Sequence, residues 1–164
     1  MTSDTIQHGT ATNEIREALL TCLQEAFEDG FSYFLDRGTS LFATLDAVSA
    51  AEASRAAAPT VGTIAAQVNH IRFYLDEILR FVSEGPPATR PDWEGSWQVD
   101  AVTDEVWDTL RNQLRTSHAN IRDLIRNNQD WPAPMLTGAI AMIAHCAYHL
   151  GEIRQALAVI RFQS

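Results

Sequence analysis

Hydrophobic residues recur at helical spacing along most of the chain. In five segments apolar side chains return every three or four residues, which places them on one face of a helix. These segments run from Asn13 to about Glu28, Thr39 to about Val48, Thr60 or Thr63 to about Ser83, Thr103 to about Asn127, and Thr137 to Phe162. No segment alternates convincingly with the period of two that is typical of a strand. The pattern therefore predicts an all-α protein, most simply a four-helix bundle.

Polar residues that suit helix ends support these boundaries. Asn13, either Thr60 or Thr63, and Thr103 each stand at the start of an apolar stripe, where a side-chain oxygen can accept a free backbone N–H. Ser49 and Glu52 have the spacing of a capping box, which predicts a short helical turn after the second segment.

The connection from Gly85 to about Val102 is long and carries two tryptophans, Trp93 and Trp97. Connections of this length inside a compact domain are usually more than tethers. We expect the tryptophans to pin this loop across one end of the bundle, between its second and third helices.

The length of 164 residues suits one domain with a sizeable core. Residues 1–12 are polar and predict a flexible tail, so residues 13–164 are the expected helical domain. The two cysteines fall in predicted helices, which favours reduced thiols and a cytoplasmic protein.

Charge and hydropathy exclude several kinds of partner. The net charge of −9 argues against nucleic acid and anionic membranes, because both attract basic surfaces. The N-terminus does not resemble a secretory signal. The most apolar stretch, Met135 to Leu150, is too short to span a bilayer and carries two histidines.

Those two histidines, His145 and His149, are the main candidates for chemistry. They lie four residues apart in an almost wholly apolar, alanine-rich segment, so both imidazoles project from the same face of a helix. Neutral imidazoles on an apolar face need partners, and histidine is the commonest metal ligand. The alternative is a pair of core histidines that bond to the backbone or to each other.

A firm metal site needs a third protein ligand, and two histidines are candidates. His70 lies about 100° around its helix from the main apolar stripe, as a residue that lines a cleft would. His118 falls in line with the stripe of its own helix, between Leu114 and Ile121, and can face inward. Cys146 is a weaker candidate, because it points about 100° away from His145.

Two motifs resemble those of a known family. The sequence Gln-Val-Asn-His-Ile around His70, the tryptophan-bearing loop, and Ala-His-Cys-Ala-Tyr-His-Leu-Gly-Glu-Ile from Ala144 to Ile153 are similar to the DinB-like, or YfiT-like, superfamily of four-helix metalloproteins. The resemblance covers roughly Thr39 to Arg161. It implies a divalent-metal site formed by His70, His145 and His149, and this favours His70 over His118. The helix from Asn13 to Glu28 is an extra N-terminal helix relative to the simplest family pattern; it covers the bundle or contributes to a dimer.

The resemblance also implies a function. Members include metal-dependent enzymes that act with a low-molecular-weight thiol, so the leading expectation is a thiol S-transferase or a related enzyme with a small-molecule substrate. Nickel or zinc is the expected ion, with iron and manganese as alternatives, and a homodimer is expected. The alternative functions are a non-catalytic metal-binding or stress-responsive dimeric bundle, and a structural bundle that binds no metal.

Other residues are expected to support the site. Glu77 and Glu152 are candidates to orient a histidine ring, or else are surface partners of arginines. Arg72 and Arg154 are candidates to meet the carboxylates of a thiol cofactor. The sequence excludes two metal chemistries: Cys146 stands where a His-Glu-x-x-His protease has its base, and no Glu-x-x-His motif of di-iron bundles occurs.

Overall fold

The computed structural model of the chain describes residues 2–29 and 32–163, with side chains from residue 11 onward; Met1, Gly30, Phe31 and Ser164 lie outside it. Its helices are α1 (Thr2–Phe27), α2 (Leu41–Asp46), α3 (Ala50–Ala53), α4 (Ile64–Glu84), α5 (Asp104–Asn127) and α6 (Ala133–Phe162), with a 3-10 turn at Gly95–Trp97. The described residues contain no strand, so the all-α prediction is confirmed.

The predicted caps stand at the ends of three helices. The hydroxyls of Thr63 and Thr103 each accept the N–H of the residue three positions on, at 3.0 and 3.3 Å, and so begin α4 and α5. Ser49 and Glu52 form a complete capping box at the start of α3. Each cap satisfies backbone donors that the first turn leaves without a partner.

Two helices begin earlier than the sequence predicts. Helix α1 begins at Thr2 and runs through the segment assigned to a tail, while the side chain of Asn13 accepts a hydrogen bond from Arg16 instead of capping the helix. Helix α6 begins at Ala133, and Pro134 lies in its first turn. Proline is tolerated there because first-turn N–H groups have no intrahelical acceptor.

Four long helices form the bundle. Helix α4 packs against α5 and α6, and α1 packs against the same two helices, so they follow one another around the bundle as α1, α5, α4 and α6. Helix α1, the extra N-terminal helix, therefore packs as one of the four long helices of the bundle. The segment expected as a helix from Thr39 to Val48 is shorter, because only α2 is helical there. The largest fully buried side chains include Trp107, Phe27, Leu23, Ile71, Leu75, Leu114, Ile121 and Ile153.

The connection between α4 and α5 is fastened to the first half of α4. Thr63 donates to the carbonyl of Val99 at 2.7 Å, and Asn69 donates to the carbonyl of Ser96 at 2.8 Å. Trp97 stacks on a side chain of the same helix, His70. Two hydrogen bonds and a ring contact therefore place this segment against α4.

Among the described residues, no helix has both the length and the apolar character needed to cross a membrane.

Candidate metal centre

Helix α6 places two imidazoles on one face, one turn apart. The rings of His145 and His149 have centroids 4.5 Å apart. His149 is buried and His145 is half-buried. The regular backbone of α6 fixes this spacing, since residues four apart on a helix share a face.

The third histidine comes from α4. His70 is buried, and its ring centroid lies 5.3 Å from that of His145 and 5.1 Å from that of His149. One ring nitrogen from each of the three side chains lies within 4.8 Å of the other two. The structure thus brings together the three residues that the sequence and the resemblance singled out.

A serine of the 3-10 turn sets the orientation of the His70 ring. The hydroxyl of Ser96 lies 2.8 Å from Nδ1 of His70 and donates its one proton to the carbonyl of Trp93 at 2.6 Å. Because that proton is used, the Ser96 oxygen must accept from His70, and Nδ1 carries the ring proton. The lone pair of His70 is then on Nε2.

A carboxylate does the same for His149. Glu152 lies one turn further along α6, and its oxygen is 2.8 Å from Nδ1 of His149. A carboxylate accepts, so the proton lies on Nδ1 and the lone pair on Nε2. The Glu152 carboxylate also raises the pKa of the Tyr148 hydroxyl.

The second predicted orienting carboxylate has another role. Glu77 forms an ion pair with Arg80, which is the arginine partnership that the alternative interpretation gave it, although its side chain is only 12% exposed. Nε2 of His145 is buried and has no hydrogen-bond partner among the described residues. It is an orphan of the kind that a metal ion satisfies.

The surroundings hold all three imidazoles neutral. Burial, and then the neighbouring His149 and His145, lower the pKa of His70 to about 4. Burial, and then His149, lower the pKa of His145. Burial also lowers the pKa of His149, although the hydrogen bond to Glu152 opposes this effect. Neutral rings with free lone pairs are the form that binds metal.

Aromatic side chains enclose the cluster. Trp97 stacks on His70 at 4.2 Å and meets the edge of His149 at 5.5 Å. Tyr74, one turn after His70 on α4, lies against His145 with ring centroids 4.2 Å apart. These two aromatic side chains therefore contact all three histidine rings.

His118 lies elsewhere, in a separate aromatic cluster. Its ring stacks on Phe27 at 4.6 Å and meets Phe42 edge-on at 5.3 Å. Burial, then the charges of Arg122 and Arg115, lower the pKa of His118 to about 4. The ring is therefore neutral, and its 3.6 Å approach to a carboxylate oxygen of Glu28 is not an ion pair at neutral pH. His118 therefore faces inward, as its place in the apolar stripe of its helix indicated.

The remaining candidates from the sequence stand outside the cluster. Cys146 is buried, and burial raises the pKa of its thiol to about 12. Arg72 bonds to Asp76 and Asn69, while Arg154 reaches Thr44 at 3.4 Å.

Sequence reasoning missed Ser96. Its position depends on a tight turn in which Asp92 accepts the N–H of Gly95 at 2.9 Å, and a Cβ on Gly95 would overlap the Asp92 carboxylate. An Asp followed three residues later by Gly is a readable turn signal. Only the fold shows that this turn faces His70, through the bond from Asn69 to the carbonyl of Ser96.

The donor set suits a divalent ion. Two of the three neutral imidazoles have Nδ1 engaged and the third has an orphaned Nε2, and one ring nitrogen of each lies within 4.8 Å of the other two. Three protein ligands are the number that catalytic zinc sites use, and they leave further coordination positions open. Imidazole also suits nickel, copper and iron, so the ligand type by itself does not select the metal.

Comparison with known proteins identifies the family of the chain. No curated protein and no solved structure shows a significant match to the sequence. A family model described as the DinB superfamily matches residues 35–153, a range that contains His70, His145 and His149 and begins after α1. The chain belongs to the DinB superfamily.

Proposed function

We propose that the protein binds a divalent metal ion through His70, His145 and His149, and that it is a metal-dependent enzyme that acts with a low-molecular-weight thiol. Thiol S-transfer or a related reaction is the proposed chemistry, with nickel or zinc as the ion. The observation that carries the metal site is the convergence of three ring nitrogens within 4.8 Å, with Ser96 and Glu152 holding the Nδ1 atoms of two of the rings.

The residues of the chain have distinct parts in this site. Ser96 and Glu152 hold the protons of His70 and His149 on Nδ1, and Trp97 covers both rings. A bound divalent ion would supply an open position where a thiol sulfur is held as thiolate or a carbonyl is polarised. Fixed ligands and limited water are what such a position requires.

The thiol must come from outside the chain. The thiol of Cys146 is buried with a pKa of about 12, and Cys22 lies on α1, outside the histidine cluster. A thiol that stays protonated is a poor nucleophile. An exogenous thiol at the histidine cluster therefore fits the site better than a protein thiol.

Metal content tests the first half of the proposal. Protein purified without an affinity tag should carry one equivalent of metal, and added nickel or zinc should raise the melting temperature of metal-free protein. His70→Ala, His145→Ala and His149→Ala should each weaken binding and keep the helical circular dichroism signal. His118→Asn is the matched control, because it removes a buried histidine outside the cluster and should keep the metal. Binding that survives all three cluster variants would refute the site.

A panel of thiols with 1-chloro-2,4-dinitrobenzene tests the second half. In this reaction the sulfur forms a bond to the ring carbon, chloride leaves with its electron pair, and the thiol proton passes to water. We expect a rate above that of the protein in which all three histidines are replaced by alanine. Equal rates across the panel would contradict the enzyme and favour the non-catalytic metal-binding protein.

A further inference from the structure

An apolar pocket of about 650 Å³ lies beside the histidine cluster. Residues of α4, the following loop, the end of α5, the connection from α5 to α6 and the beginning of α6 form its walls. Its larger side chains are Ile78, Phe81, Trp93, Trp131, Met135 and Met142. The volume is within the range of about 300–1,000 Å³ that is usual for small-molecule sites.

The lining excludes charged ligands. Glu77 and Asn128 are its strongly polar residues, and no lysine, arginine or histidine is among the described residues that line it. Glu77 is already paired with Arg80. An anion would find no cation here, and a net charge of −9 repels it further. A neutral molecule with an apolar body fits these walls.

Tyr74 connects the pocket to the histidines. Its side chain lines the pocket, and the same ring lies 4.2 Å from the ring of His145. Trp93 is also shared, because it lines the pocket and its ring centroid is 6.3 Å from that of His70. The hydroxyl of Tyr74 has no hydrogen-bond partner within residues 11–29 and 32–163, so it can donate to a bound molecule.

We propose that this pocket binds the apolar body of a neutral small molecule whose polar end passes Tyr74 and reaches the histidine cluster. Binding of the apolar body depends only on the residues that line the pocket. The placement of the polar end rests on the metal site proposed above. A second copy of the chain fits less well, because five segments enclose a concave space that a flat helical face would not fill.

Straight-chain alcohols from butanol to decanol probe the pocket in metal-free protein. Titration calorimetry, with the fluorescence of Trp93 and Trp131 as a second signal, should show affinity rising about fourfold per methylene, which corresponds to about 0.8 kcal/mol. The rise should stop once the chain length exceeds the pocket. Affinity that does not change with chain length would overturn the proposal.

Two glycines of α6 provide a matched pair of variants. A Cβ at Gly138 or at Gly151 would meet no atom within 4 Å, and only Gly138 lines the pocket. Gly138→Leu fills the pocket and should lower alcohol affinity at least about tenfold, whereas Gly151→Leu should not change it. Both variants replace a helical glycine by a better helix former, so both should fold. Equal affinities of the two variants would overturn the proposal, and so would loss of a dimer in Gly138→Leu, which would assign the pocket to a second copy.

Alkyl hydroxamates of increasing chain length test the placement of the polar end. On nickel-loaded protein their affinity should rise with length as that of the alcohols does, and Gly138→Leu should abolish the rise. Hydroxamate affinity that is independent of length would overturn the connection between pocket and cluster. If the protein takes up no metal but still binds alcohols, the proposed function fails and the pocket stands.

Discussion

Replacing Ser96 by alanine tests whether the loop sets the ligand geometry of the cluster. The buried hydroxyl accepts the ring N–H of His70 at 2.8 Å and donates to Trp93 at 2.6 Å. Without it, the metal-free protein can move the ring proton of His70 from Nδ1 to Nε2. A metal ion on Nε2 prevents that change, so the cost of an unpartnered N–H falls on the metal-bound state.

The size of the effect follows from that cost. An unpartnered buried N–H costs about 1–3 kcal/mol, and 1.4 kcal/mol is a factor of ten, so metal affinity should fall about 5- to 150-fold. Competition titrations of zinc and nickel against a chromophoric chelator measure this ratio directly.

Ser117 supplies the control. It is as buried as Ser96, but its hydroxyl donates to Asp76 at 2.5 Å, outside the histidine cluster. Ser117→Ala should lower the free energy of unfolding and leave metal affinity unchanged. An unchanged affinity in Ser96→Ala, or an equal loss in both variants, would refute the role given to the loop.

Three further predictions concern the site and the core. Glu152→Ala removes the acceptor of the His149 proton and should weaken metal binding about 10- to 100-fold in the same titration, whereas Glu152→Gln keeps a neutral acceptor and should lose less. The folded-state pKa of His118, about 4, lies below the ordinary value of about 6.5, so its contribution to stability is full above pH 6.5 and is lost as the pH falls towards 4. In urea unfolding of metal-free protein, wild type should therefore lose about 2 kcal/mol more than His118→Phe between pH 7 and pH 5; equal losses would contradict the buried neutral ring. Trp107→Phe removes the 2.8 Å bond from the indole to the carbonyl of Val48 and should destabilise the fold by about 1–3 kcal/mol, as measured by thermal unfolding.

The helices could be predicted wherever local signals decide their ends. Thr63 and Thr103 cap α4 and α5 because a hydroxyl next to the first turn satisfies donors that exist in any context. The start of α1 could not be predicted in this way. Asn13 has the chemistry of a cap, but Arg16 uses its side-chain oxygen while the backbone is already helical.

Only part of the histidine site could be predicted from the sequence. The spacing of His145 and His149 predicts their common face, because the periodicity of one helix determines it. Spacing could not decide between His70 and His118, since both can face inward and only packing separates them. His118 is buried between Phe27 and Phe42, a contact between segments distant in the sequence. The resemblance to a family was what favoured His70.

The two halves of the cluster depend on different parts of the chain. The main-chain hydrogen bonds of α6 hold His145 and His149 one turn apart, so no change in the loop can separate them. The orientation of His70 depends instead on Ser96, which the turn at Asp92 and the side chain of Asn69 keep in place. The pair on α6 therefore provides a chelating face, and the loop decides whether a third lone pair completes it. Two histidines four residues apart therefore do not by themselves predict a tight metal site. The prediction also needs the segment that orients the third ring.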